Sequence, residues 1–262
     1  MRIIAVVSGK GGVGKTTVTA NLGVALSEFG FRVTLVDFNV TTSHLGFYFS
    51  FSELPITLNN VLRGETHINN ALYVISENLS VIPASLSIEE LAGVNLDKLR
   101  DVLKDLNSEI VLIDSAPGLG REGVSSIKAA DELIYVTIPY LSAVTDILRI
   151  HKVALELGKY VDGIITNMVR GKKFELKRGE IEELTGIRVI GEIPFDNCVQ
   201  ESLAKGFPTI RTFPFAKSSI EIKKIASKLV GVPYSPPKRL TLKRIGFNLK
   251  RRIFGIEQQK IL

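Results

Sequence analysis

Cysteine is nearly absent: Cys198 stands alone among 262 residues. One thiol excludes an internal disulfide framework and any CxxC metal or redox site, and it suits a reducing cytoplasm. Long apolar runs are missing too, since no stretch approaches the ~20 apolar residues that a membrane-spanning helix needs. The first apolar run is short and breaks into a glycine-rich loop, which is not the pattern of a secretory signal. His44, His67 and His151 have no metal-ligand spacing among themselves or with Cys198. His44 reads as an ordinary loop histidine and Cys198 as a small buried residue.

What is present is an ordinary globular balance, with 45% hydrophobic and 23% charged residues. The net charge of +6 is unevenly placed. From Lys238 onward eight cations face Glu257 alone, so the end carries +7 and about −1 is left for everything before it. The basicity belongs to one segment and not to the body.

Short apolar runs at residues 2–8, 32–38, 79–85, 109–115, 132–138, 161–169 and 188–194 predict strands. Helical patterns fall at 16–30, 86–107, 121–130, 141–158, 175–185, 196–206 and 216–230. Such alternation predicts a doubly wound α/β fold, with a mostly parallel sheet and helices on both faces. "GVPYSPPK" at 231–238, with three prolines and a glycine, ends the last helix and forms a connector. The expected organisation is a nucleotide-binding domain over 1–230, a Pro-rich linker over 231–237 and a basic segment over 238–262.

"GKGGVGKT" at 9–16 fits G-x-x-x-x-G-K-[ST] directly after the first strand and at the start of a helix. Gly11, Gly12, Val13 and Gly14 let backbone N–H groups approach phosphate oxygens, and the helix N-terminus favours the same anion. In that motif Lys15 reaches the β- and γ-phosphates, Thr16 ligates Mg²⁺ and Thr17 follows in the first helical turn. A chance match in a glycine-rich turn is the competing reading, and the strand–loop–helix context argues against it.

A second lysine, Lys10, sits inside the loop. "KGGVGKTT" with that lysine resembles the deviant Walker A of the MinD/ParA group of P-loop ATPases, most nearly the MinD-like cell-division ATPases. "NLGVALSEFGFRVTLVDFN" (21–39), "IVLIDSAPGLG" (110–120), "AADELIYVTIPYLSAVTD" (129–146) and "GEIPFDNCVQESLAKGFPTI" (191–210) extend the resemblance over roughly residues 1–230. It implies an ATP- and Mg²⁺-dependent sandwich homodimer in which Lys10 reaches the partner's phosphates. A cation beside a polyphosphate is well paired, whereas two facing lysines without nucleotide repel. The resemblance also assigns Asp114 to Mg²⁺ through a coordinated water, and Asn167, Pro194 and Asp196 to the adenine. A strand-end carboxylate capping the next turn is the plainer reading of Asp114. Met168 departs from the basic residue usual after the asparagine.

A second departure lies after the second strand. Where the family reads D-x-D, this chain has Asp37-Phe38-Asn39. Asp37 is expected near Mg²⁺ and the first switch, and Asn39 replaces the aspartate that orients or deprotonates the attacking water. A carboxamide accepts a hydrogen bond from water but takes no proton. Loss of a general base costs roughly 10²–10⁴ in rate, so slow or absent hydrolysis is expected unless Asn39 is a turn residue and another group does the work.

The basic segment spaces Leu242, Ile245, Leu249, Ile253 and Ile256 on one helical face, with Phe254 beside the stripe. Lys243, Arg244, Lys250, Arg251 and Arg252 flank or oppose it. This is the pattern of an amphipathic helix lying in an anionic membrane surface, and "FNLKRRIFG" resembles the C-terminal membrane-targeting sequence of MinD. Docking on the body and binding of nucleic acid are the alternatives; the Pro-rich connector argues against the first. The expected protein is thus cytoplasmic and peripherally membrane-associated, with a protein regulator or cargo as a further partner and nucleic acid a weaker one. The alternatives are a ParA-like DNA-partitioning ATPase and an Mrp-type metallocentre-assembly NTPase.

Overall fold

The computed structural model describes residues 1–238 and Phe247. The seven apolar runs do form strands, and an eighth joins them. In chain order these are β1 (Arg2–Val7), β2 (Val33–Phe38), β3 (Tyr73–Ser76), β4 (Leu79–Ile82), β5 (Ile110–Ser115), β6 (Glu132–Thr137), β7 (Tyr160–Val169) and β8 (Val189–Pro194). They form one sheet in the order β3-β4-β2-β5-β1-β6-β7-β8. Every pairing is parallel except β3 with β4. The chain winds outward from β1 in both directions, as the α/β alternation predicts.

The uninterrupted apolar character of the strands has a simple cause. Successive side chains of a strand point to opposite faces, and here both faces are buried. Ile3, Ala5 and Val7 of β1 join one core, whereas Ile4 and Val6 join the other. The first face is covered by α2 (Leu58–Arg63), α3 (Leu99–Leu103), α4 (Arg121–Ala129), α5 (Leu141–Glu156) and α6 (Arg178–Thr185). The second is covered chiefly by α1 (Lys15–Glu28), α8 (Thr209–Thr212) and α9 (Lys217–Val230), with α7 (Asn197–Ala204) leading into α8.

Three local expectations are corrected. The helix expected over 86–107 is two 3-10 turns, Glu89–Leu91 and Leu96–Lys98, followed by the five-residue α3. Gly93 lies between the turns at φ 76, a left-handed conformation that a helix cannot pass through. The strand β3 carries no period-2 signal because it is short, lies at the sheet edge and shifts register between Val74 and Ser76. Cys198 is half-buried and not enclosed.

The linker does not leave the body at once. Tyr234 packs on Phe29 with ring centroids 6.0 Å apart, and Val232 N–H donates to Ser227 O at 3.2 Å. Phe247 meets Phe215 edge-on at 6.0 Å, so the connector does not keep that residue of the basic segment away from the body.

The N-terminal ends of β1, β6 and β7 gather charge away from the glycine loop. Arg2 pairs with Glu132 at 2.5 Å and donates to Leu229 O at 2.9 Å. Asp162 is buried beside them with Oδ2 unpartnered among the described residues. Burial first, then the Glu132 charge, push its carboxyl up to about 6. A carboxyl raised in the fold costs stability as pH climbs through that range. Asp162→Asn is therefore expected to gain melting temperature over the wild type between pH 4 and 7, by about 3 °C for a chain of this length. Thermal melts across pH check this, and a constant difference would contradict it.

Candidate functional site

The loop between β1 and α1 is shaped by two glycines in the left-handed region, Gly12 at φ 79 and Gly14 at φ 86. A Cβ on Gly14 would lie 2.2 Å from Asn167 Nδ2, while Cβ positions on Gly11 and Gly12 face open space. The loop is therefore tight beneath and clear above. Asn167 supports it from below by donating to Val13 O at 2.9 Å. From the side, Gly118 N–H donates to Ser8 O at 2.8 Å, joining the glycine-bearing turn after β5 to the loop. The first N–H groups of α1 have no acceptor within the helix, and no side chain of the described residues caps them.

At the foot of the loop two charges are buried together. Lys15 is 7% exposed and Asp114 1% exposed, with Nζ and Oδ1 3.0 Å apart. Thr19, one turn along α1, donates to the same Oδ1 at 3.3 Å and to Lys15 O at 3.0 Å. Asp114 Oδ2 has no hydrogen-bond partner among the described residues. A buried carboxylate oxygen is costly without one, so this atom suits a cation or a cation-bound water. Thr16 lines the cleft above it. The donor set of hydroxyl and carboxylate oxygen fits Mg²⁺, a hard ion that binds oxygen.

The cleft itself has a volume of about 840 Å³. The seven loop residues Gly11 to Thr17 form its floor, and Lys10, Asn39, His44, Tyr48 and Lys205 are among its walls. Three lysines and no carboxylate line it among the described residues, which makes it a site for a polyanion. Lys10 donates to Ser142 Oγ at 3.3 Å and makes no ion pair among the described residues. Beside Ser142 the surface is apolar: Tyr140 and Phe174 are stacked at 6.2 Å, and Leu141 is 56% exposed.

Asp37 stands beside Asp114, its register neighbour across β2 and β5, and at the start of the loop after β2. It is fully buried and does not line the cleft. Oδ1 accepts the N–H of Asn39 at 3.1 Å, and Oδ2 accepts Ser43 Oγ and the N–H groups of His44 and Leu45 at 2.7, 3.2 and 3.0 Å. It anchors the loop after β2. Burial and then the charge of Asp114, its register neighbour across β2 and β5, push its carboxyl above the usual range. Asn39 does line the cleft, with Nδ2 donating to Thr42 O at 2.6 Å and Oδ1 accepting Thr42 Oγ1 at 3.0 Å. A carboxylate there could not donate to Thr42 O.

The three residues assigned to the base are not among the cleft's lining, although Asn167 touches Val13 and Gly14, which are. Asn167 is the prop beneath Gly14 and Pro194 ends β8. Asp196 caps α7, accepting the N–H of Cys198 at 3.1 Å and both N–H and Oγ of Ser218 at 3.2 Å. Leu242, Ile245, Leu249, Arg251, Arg252, Ile253, Phe254 and Ile256 lie outside the described residues.

Two cleft residues carry no sequence signal. Tyr48, in the 3-10 helix Leu45–Phe49, hydrogen-bonds Thr17 Oγ1 at 2.6 Å and so ties the loop after β2 to α1; burial pushes its phenol up to about 12. Lys205 enters from the end of α7. Thr19 has a signal only in hindsight, the i+4 spacing from Lys15 that puts both on one helical face.

The chain matches the CobQ/CobB/MinD/ParA nucleotide binding domain over residues 4–209. An uncharacterized ATP-binding protein of Methanocaldococcus jannaschii is 38% identical over 233 residues, covering 88% of each chain. Among solved structures, the septum site-determining protein MinD of Pyrococcus horikoshii in complex with Mg-ADP superposes with a TM-score of 0.83. It is 32% identical and covers 87% of this chain and 95% of that one. The MinC:MinD cell division protein complex of Aquifex aeolicus gives 0.76 at 25% identity, covering 91% and 99%. The glycine loop, the buried Lys15–Asp114 pair and the doubly wound sheet agree with these likenesses, and this chain belongs to the CobQ/CobB/MinD/ParA nucleotide-binding family.

Proposed function

We propose that this chain is a MinD-like ATP-binding switch that dimerises around ATP–Mg²⁺ and attaches to membranes through its C-terminal segment, in division-site or spatial positioning. The observation that carries the nucleotide reading is the orphan Oδ2 of Asp114, whose other oxygen pairs with Lys15 of a cleft lined, among the described residues, by three lysines and no carboxylate. When bound, Mg²⁺ would neutralise developing charge on the phosphates. Lys15 and the loop N–H groups would hold the phosphates, and Thr16 and Asp114 would hold the ion.

Lys10 supports the two-chain reading. Its ammonium lies on the loop without a carboxylate partner among the described residues, beside the exposed Tyr140, Leu141 and Phe174. An apolar patch around such a cation fits a surface that closes on a second copy with a polyanion between. A protein regulator or cargo follows by analogy with the MinC:MinD complex. The domain scheme of 1–230, 231–237 and 238–262 puts the switch and the attachment segment on one chain, cytoplasmic and peripheral. Two short segments on one dimer bind lipid with avidity, whereas one binds weakly.

Lys10→Ala is expected to keep nucleotide binding within about threefold and to abolish the ATP-dependent dimer; equilibrium titration and sedimentation velocity read the two separately. Asn39→Asp is expected to raise ATP turnover by about tenfold or more, because a carboxylate in the cleft wall can take the proton that a carboxamide cannot. Equal turnover of the variant and the wild type, measured with and without lipid, would remove that reading. In co-sedimentation with phosphatidylglycerol vesicles, full-length protein is expected to bind more with ATP than with ADP, and protein truncated after Pro237 not at all. Equal binding in every condition would exclude the switch.

A further inference from the structure

The described residues hold a second hollow, of about 380 Å³, away from the glycine loop. Its walls are Phe195 to Cys198 after β8, Phe213 and Phe215 to Lys217 at the start of α9, and Phe247. The rim is held firmly. Asp196 bonds both to the start of α7 and to Ser218 in α9. Burial works against its charge, but these hydrogen bonds hold its carboxyl below the usual range. Arg170 lies over the Phe195 ring at 3.7 Å and Lys205 near the Phe213 ring at 5.7 Å.

Phe247 lies far from the end of α9. The body ends where α9 ends, at Val230, and Gly231 turns the chain out at φ 69. Phe215 lies just before the first residue of α9, about 20 Å back along a helix of 14 residues. Tyr234 packs against Phe29. The Phe247 ring is set edge-on to Phe215 at 87° and 6.0 Å, a favoured aromatic geometry.

We propose that this aromatic hollow is the docking seat of the chain's own C-terminal segment, with Phe247 as its anchor, and that docking leaves the segment free to bind lipid. The second part follows from the sequence spacing: on a helical wheel at 100° per residue, Phe247 falls roughly 160° from the mean direction of Leu242, Ile245, Leu249, Ile253 and Ile256. Docking of the anchor rests on the Phe247 contact alone; the second part adds the membrane reading above.

Cys198, the single cysteine, lines the seat and serves as the reporter. Asn248→Cys puts a second thiol next to the anchor without removing it. In the full chain without lipid, a short bismaleimide is expected to join Cys198 to the thiol introduced at position 248 within one molecule. It should not join Cys198 to a thiol introduced instead by Gln259→Cys. Adding Phe215→Ala or Phe247→Ala to Asn248→Cys should slow the reaction by about fivefold. Equal reaction at positions 248 and 259, or none at 248, would overturn the docking. Phosphatidylglycerol vesicles form the second arm. The cross-linked protein is expected to bind them as the uncross-linked protein does. Loss of binding only after cross-linking would overturn the second part. If neither form binds lipid, the membrane reading and the second part fall together, and the cross-link result still stands or falls by itself.

Discussion

Two opposite charges with almost no access to water, Lys15 and Asp114, set the terms for everything around them. Burying either alone costs several kcal/mol, and removing one partner of such a pair costs about 3–5 kcal/mol. The pair at 3.0 Å joins the first residue of α1 to the end of β5, so the helix that follows the glycine loop is pinned to the strand beside β1. Thr19 adds a hydroxyl to the same oxygen. The arrangement is incomplete by itself, because Asp114 Oδ2 is buried without a donor among the described residues. A site that needs a cation beside a lysine is set up for an anion carrying its own metal ion.

The next strand shows the cost of gathering carboxylates at one sheet edge. Asp37 and Asp114 are register neighbours on β2 and β5, and their mutual repulsion helps push the Asp37 carboxyl up. Four donors from residues 39–45 offset that cost and fix the loop after β2 in place. Asn39 belongs to the same loop, its carboxamide giving and accepting a hydrogen bond with Thr42. The substitution thus has a local structural fit in addition to its chemical consequence: the amide stabilises the turn that an aspartate would oppose. A cleft built this way favours holding a nucleotide.

Much of this was legible in the residues. Apolar runs that fill both faces read as buried parallel strands, and all seven are present because a parallel sheet covered by helices demands such runs. The glycine loop was legible because its chemistry needs a fixed spacing. The stretch at 86–107 was not, since a single left-handed Gly93 outweighs the helical pattern around it. Asn167 and Asp196 stand in the expected places along the chain, yet one props Gly14 and the other caps α7.

The sequence by itself determined the sheet, the loop and the concentration of charge at one end. These depend on residue type and local spacing. The tertiary structure alone decided which oxygen of Asp114 is left without a partner among the described residues and that Asp37 faces its own loop. It also decided that Tyr48 latches Thr17 and that Phe247 meets Phe215. Each of these joins residues far apart in the chain, and such contacts are set by how the helices stack on the sheet, which no local pattern records.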